Sequence, residues 1–207
     1  MGKIKWLFFD LGSTLVDETE CYKNRIDTIV GENNIDKAEF LNKVYEYAKV
    51  NSYSIKCAAD EYAVSLPKWN SELEYLYPNV HDVLKSLSEK YKLGIIANQV
   101  LGTKDRLVKW EIYEYFSVVA ASAEEGCAKP DLKIFYKALE RANCTPGEAV
   151  MIGDRLDNDI VPAKKIGMKT IWVKQGFAEY QENQSEAHYA DCIIDKIDEI
   201  GNVLRKI

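Results

Sequence analysis

The feature that most restricts how this 207-residue chain can fold is a repeated alternation of short apolar runs with longer stretches whose apolar residues stand three and four apart. The runs lie at residues 4–9, 93–97, 118–121, 149–152 and 170–173. Apolar runs this short predict strands buried on both faces, and the stretches between them predict helices. Val80, Val83, Leu84 and Leu87 share one helical face, as do Ile134, Phe135, Ala138 and Leu139 after Pro130. Thr145-Pro146 supplies an N-cap and a proline at the first helical position, and Gly167 stands where the helix carrying Ala163 and Ile166 should end. Strand-helix alternation predicts an α/β fold with a doubly wound parallel sheet and helices on both faces.

One interval breaks the alternation. Residues 17–77 contain helical patterns and no convincing strand, which predicts an inserted α-helical cap with helices at 21–30, 36–50 and 55–66. Pro67 and Pro78 punctuate the route back to the sheet. The expected division is therefore a core of residues 1–16 and 78–207 and a cap of residues 17–77.

Composition removes several function classes. The 27 basic residues are outnumbered by 33 acidic ones, and no long basic run stands out, so nucleic acid is not an expected partner. No apolar run is long enough to span a bilayer, and the stretch 6–9 is too short for a signal core and ends in Asp10. Cys21, Cys57, Cys127, Cys144 and Cys192 are odd in number, scattered, and never in a C-x-x-C spacing. They are read as free thiols of a cytoplasmic protein without a membrane partner. Oligomeric state is left open.

In open parallel sheets, ligands bind beyond the carboxyl ends of the strands, so the polar residues that follow each apolar run are the candidates. They are Asp10 in FFDLGSTL, Asn98 in GIIANQ, and Asp154 and Asp159 in MIGDRLDND, with Lys129 before Pro130 in EEGCAKPDLKIF. Each has a bland reading alone: Asp10 as a cap or turn residue, Lys129 as a solvated lysine, and Asp154 and Asp159 as acids near a helix N-terminus. The joint pattern favours chemistry. Cys127 lies near the lysine without a histidine partner and is read as a small packed hydrophobe. His81 and His188 are read as surface residues. Trp6, Trp69, Trp110 and Trp172 are read as packing residues, with Trp69 in the cap also within reach of a substrate.

These segments, in this order, resemble the four motifs of the haloacid-dehalogenase-like hydrolase superfamily, and YPNVHDVLKSLSEKYKLGIIANQ is similar to the usual lead into its second motif. The resemblance spans nearly the whole chain except residues 17–77, whose position after the first motif resembles the helical-cap subclass. It implies a Rossmann-like core and a magnesium-dependent hydrolase, a phosphatase acting on a small phosphorylated metabolite. Asp10 would be the nucleophile that forms an aspartyl-phosphate. Asp10, Asp154 and the Gly12 carbonyl would hold Mg²⁺, with Asp159 orienting the metal or its water shell. Lys129 would offset charge on Asp10 and on the phosphoryl group. Thr14 occupies its family position, and Asn98 with neighbouring amides would hold phosphate oxygens.

The chain departs from the family pattern twice. Gly12 stands where the phosphatases usually carry a second Asp that protonates the departing alcohol, and Ala97 replaces the usual phosphate-binding Ser or Thr. Asp17, Glu18 or a cap carboxylate would be the first suspects for a substitute acid. A catalytically silent module that binds a phosphorylated ligand or protein is the alternative, separated from an enzyme by turnover of an aryl phosphate with magnesium. A dehalogenase needs no metal, so Asp154 and Asp159 speak against it, and a mutase relies on the missing Asp.

Overall fold

The computed structural model describes residues 3–50, 53–183, 185, 189–205 and 207. The strands, in chain order, are β1 (Trp6–Phe9), β2 (Val16–Asp17), β3 (Tyr75–Leu76), β4 (Lys92–Ala97), β5 (Phe116–Ala121), β6 (Ala149–Gly153), β7 (Lys169–Val173) and β8 (Cys192–Ile194). The helices are α1 (Thr19–Asn33), α2 (Lys37–Lys49), α3 (Ser54–Glu61), α4 (Val80–Ser88), α5 (Thr103–Lys109), α6 (Ser122–Glu125), α7 (Leu132–Ala142), α8 (Val161–Lys165) and α9 (Ile200–Val203).

Six strands form one parallel sheet in the order β5-β4-β1-β6-β7-β8. β1 lies between β4 and β6, with Phe9 opposite Ile95 on one side and Ile152 on the other. Every residue of β1 is buried. Because successive strand residues face opposite ways, Leu7 and Phe9 pack on one face with Leu84 of α4 and Leu107 of α5. Trp6 and Phe8 pack on the other face with Phe135 and Ala138 of α7. The doubly wound α/β fold expected from the alternation is the fold observed, with helices on both faces.

All five expected strands are present. β8 was not legible, since it is three residues long and exposes Ile193 at 50%. The antiparallel pair β2–β3 was also missed, being two residues each way. Between these two strands lie α1, α2 and α3, which share a buried cluster of their own around Ile29, Phe40, Val44 and Ala58. Residues near 177–182 join this cluster to the sheet: Phe177 packs against Tyr22 with ring centroids 5.0 Å apart, and Glu182 N donates to Lys49 O at 3.1 Å.

The helix expected at 55–66 stops at Glu61. Val64 N donates to Ala59 O and Ala63 N to Asp60 O, a Schellman arrangement that requires a left-handed residue, and Ala63 takes that place at φ 54. A Cβ there is crowded by roughly 1–2 kcal/mol, while glycine adds unfolded-state freedom of roughly 0.4–1 kcal/mol. Ala63→Gly is therefore expected to stabilise the protein by a net ~0.5–1 kcal/mol, read as a higher urea midpoint with unchanged slope.

Thr145 takes the expected N-cap position, where its N and Oγ1 both donate to Glu148 Oε2, but only a single turn follows it, at Pro146–Glu148. His81 is exposed at the start of α4; His188 lies outside the described residues. All five cysteines are free thiols. Among the described residues no helix is long and apolar enough to cross a membrane.

Candidate active site

The site is built on the loop that leaves β1. Asp10 N still donates to Ile152 O at 2.8 Å, so the ladder with β6 holds the aspartate at the carboxyl edge of the sheet. The chain then doubles back: Leu15 N and Val16 N both donate to Leu11 O at 2.9 Å, Ser13 N donates to Val16 O at 2.8 Å, and Ser13 takes φ 54. This tight turn buries Thr14, whose hydroxyl donates to Asp154 Oδ1 at 3.3 Å and ties the turn to the loop after β6.

Asn98 follows β4 and clamps the backbone of Lys129 from both sides. Its Nδ2 donates to Lys129 O at 2.8 Å, and Lys129 N donates to its Oδ1 at 2.7 Å. The Lys129–Pro130 bond is cis. Thus anchored, Lys129 Nζ reaches Asp10 Oδ1 at 2.6 Å and Asp159 Oδ1 at 2.5 Å. The lysine side chain is 2% exposed, Asp10 13% and Asp159 0%, so water screens this triad little.

Three carboxylates and one ammonium in so small a space perturb one another. Burial opposes the charge on Lys129, but Asp10 and then Asp159 outweigh it and hold the ammonium protonated above the usual lysine range. Burial, then the neighbouring charges of Asp10 and Asp159, pushes the Asp154 carboxyl well above the ordinary carboxylate range. Burial likewise raises Asp159, opposed by Lys129. Carboxylate oxygens of Asp10, Asp154 and Asp159 lie within 4.8 Å of one another. That donor set of hard oxygens fits a cation such as Mg²⁺. Within it Asp159 has both oxygens engaged, Oδ1 by Lys129 and Oδ2 by Arg155 N at 2.9 Å, which suits an orienting part. Asp154 is fixed from behind, where Trp172 Nε1 donates to its carbonyl at 2.8 Å and Gln181 Nε2 at 3.3 Å.

A cavity of about 270 Å³ opens above this edge, between the sheet and the inserted helices. Asp10, Gly12, Asn98, Lys129, Asp154 and Asp159 line it, so these six expected site residues are brought together. Thr14 is not among its lining residues, its hydroxyl being given to Asp154, whereas Asn98 lines the cavity and spends one amide N–H and its oxygen on the Lys129 backbone. Trp69 also lines the cavity, with Arg25 stacked over its ring at 4.7 Å. Trp172 does more than pack, through its bond to Asp154.

Arg106 and Glu74 escaped the sequence reading, while Trp69 and Glu18, both named in it, gain partners it did not show. Arg106 Nη1 donates to Glu74 Oε2 at 3.1 Å, and Trp69 Nε1 donates to Glu74 Oε1 at 2.7 Å, forming one wall. Glu18 receives Ser13 Oγ at 3.1 Å and Tyr22 OH at 2.7 Å, both on Oε2. Burial raises its carboxyl to about 7, although the Tyr22 and Ser13 hydrogen bonds lower it and only the Asp10 and Glu74 charges add to the rise. No motif marks Arg106 and Glu74, which meet across 32 residues through the tertiary fold, whereas Glu18 meets Ser13 and Tyr22 within the turn and first helix that follow Asp10.

The family model for haloacid dehalogenase-like hydrolases matches residues 7–173. A glyceraldehyde 3-phosphate phosphatase of Pyrococcus furiosus is 34% identical over 230 aligned positions, covering 100% of this chain and 95% of that protein. One from Methanocaldococcus jannaschii is 26% identical, over 99% of this chain and 98% of its own length. Among solved structures, a HAD phosphatase from Thermococcus onnurineus superposes with a TM-score of 0.67 at 26% identity, covering 97% of this chain and 98% of that one. A predicted phosphoglycolate phosphatase from Haemophilus somnus, 20% identical, shares the fold with a TM-score of 0.72 over 98% of this chain and 99% of its own.

Proposed function

The chain belongs to the haloacid dehalogenase-like hydrolases, and from that premise we propose that it is a magnesium-dependent phosphatase that frees phosphate from a small phosphorylated metabolite through an aspartyl-phosphate on Asp10. The observation that carries this reading is the buried ammonium of Lys129, held between Asp10 and Asp159 beside the Asp154 carboxylate. A carboxylate oxygen of Asp10 attacks phosphorus, and splitting one displacement into two lowers each barrier. Lys129 holds Asp10 in place and offsets charge building on the phosphoryl oxygens, in a setting where water does not dilute its field. Asn98 acts by fixing the Lys129 backbone. Mg²⁺, held by Asp10, Asp154 and the Gly12 carbonyl with Asp159 orienting its shell, would neutralise the anion that approaches the carboxylate.

In this reading residues 1–16 and 78–207 form the catalytic core, and residues 17–77 form a cap that encloses the leaving group through Tyr22, Arg25 and Trp69. Relatives named as glyceraldehyde 3-phosphate phosphatases support a small phosphorylated substrate.

The test is release of phosphate from nitrophenyl phosphate with and without magnesium. Turnover is expected only with the metal, and no release under either condition would defeat the proposal. Magnesium should also raise the melting temperature of the wild type by mass action, a rise that Asp154→Ala erases. An equal magnesium-induced shift in both proteins would mean that the metal sits elsewhere.

A further inference from the structure

Transfer of a phosphoryl group to Asp10 leaves an alkoxide on the departing fragment unless a proton arrives during cleavage. Most acidic groups lining the cavity are committed. Asp159 is bonded to Lys129 and to Arg155 N, Asp154 faces Asp10 and Thr14, and Glu74 is held by Trp69 and Arg106. Glu18 is placed differently. It follows β2 as the residue before α1, and its carboxyl fills the space over Gly12: a Cβ built on Gly12 would lie 2.7 Å from Glu18 Cδ and Oε2, with Oε1 closer still. Ser13 and Tyr22 both donate to Oε2, so a proton on this carboxyl sits on Oε1, the oxygen facing Gly12.

We propose that Glu18 is a catalytic residue of this phosphatase, donating a proton from Oε1 to the leaving oxygen and then serving as the base for water. The assignment rests on the phosphatase reading above. In the first step an Asp10 oxygen lone pair forms the bond to phosphorus while the ester P–O bond breaks. The electron pair of that bond goes to the leaving oxygen, which takes the Glu18 proton and departs as an alcohol. In the second step Glu18, now a carboxylate, takes a proton from water as the water oxygen bonds to phosphorus. The bond to Asp10 breaks, its electron pair returns to the carboxylate, inorganic phosphate leaves, and Glu18 is again protonated.

The steric relation between Gly12 and Glu18 supplies the test. A series of phosphate monoesters, from nitrophenyl to alkyl, is assayed by pre-steady-state phosphate release with magnesium, using wild type, Glu18→Gln, Gly12→Asp, Glu18→Ala and the Gly12→Asp/Glu18→Ala double variant. Glu18→Gln keeps the size of the side chain and an oxygen for Ser13 and Tyr22, but its amide is no acid. Alkyl esters should lose roughly a hundred- to ten-thousand-fold in the first turnover, whereas nitrophenyl phosphate, which departs as a stable anion, loses less than about tenfold there. The variant should then show a burst with nitrophenyl phosphate, because water is no longer activated for the second step. Gly12→Asp alone should not speed alkyl esters, since its side chain collides with Glu18; the double variant should exceed Glu18→Ala on alkyl esters by at least about tenfold.

Equal dependence on the leaving group in wild type and Glu18→Gln overturns the assignment, as does a uniform loss across the series, which is what a merely structural role would give. Failure of the double variant to exceed Glu18→Ala counts against it too. These failures leave the phosphatase reading standing so long as wild type cleaves nitrophenyl phosphate. A wild type that releases no phosphate from any ester defeats both.

Discussion

Asp10→Asn is expected to abolish phosphate release while leaving the fold intact. The amide nearly matches the carboxylate in shape and its oxygen still accepts from Lys129 Nζ, now 2.6 Å from Asp10 Oδ1, but it has no charged lone pair with which to attack phosphorus. Loss of a nucleophile of this kind costs about four to six orders of magnitude in turnover, far more than loss of a single supporting hydrogen bond. The fold should tolerate the change, because Asp10 is one of the charges that push the Asp154 carboxyl up, and removing it relieves repulsion in the metal-free protein. Phosphate release and circular dichroism measured on one preparation check both halves. Activity comparable to wild type would mean that another group attacks phosphorus.

Lys129→Met is expected to have the largest effect on stability, and to lower turnover too. Methionine fills much of the lysine volume, so the change isolates the charge. What remains is Asp159, fully buried, and Asp10, 13% exposed, facing each other and Asp154 without a cation between them. Removing one partner of a buried ion pair typically costs about 3–5 kcal/mol, a large share of the ~5–15 kcal/mol that holds a domain together. Turnover should fall by at least about a hundredfold, through loss of charge stabilisation at the phosphoryl oxygens. Urea unfolding of Lys129→Met, Asp159→Asn and the double variant separates charge from packing. Asp159→Asn should restore much of the stability lost in Lys129→Met, a coupling that additive packing defects would not produce. A Lys129→Met protein as stable as wild type would show that the triad is solvated.

How much of this was legible in the chain follows from the range of the forces involved. β1 was readable because Trp6 to Phe9 are all apolar, and burial on both faces needs nothing else. Asp10, Asn98, Lys129, Asp154 and Asp159 were readable because the carboxyl edge of a parallel sheet gathers whatever follows its strands. What those side chains touch was not readable. Asn98 was expected near the phosphate; that its amide also closes on the Lys129 backbone, a pairing across 31 residues set by the packing of β4 beside β5, was not readable. Thr14 points at Asp154 because of the turn around the Leu11 carbonyl. Glu18 was one suspect among several; only the same turn shows that its carboxyl stands over Gly12. The early end of α3 depends on a left-handed alanine, which local propensity disfavours and which the Schellman bonds impose.

A covalent bond between Asp10 and phosphorus is the central step of the proposed catalysis, and that bond is open to direct observation. Wild-type protein turning over nitrophenyl phosphate with magnesium is quenched in acid, digested and weighed by mass spectrometry. One phosphoryl group is expected on the peptide that contains Asp10, released by hydroxylamine as an acyl phosphate should be, and absent from Asp10→Asn treated alike. Sustained phosphate release by Asp10→Asn at the wild-type rate, with Asp10 of the wild type unmodified throughout turnover, would contradict it.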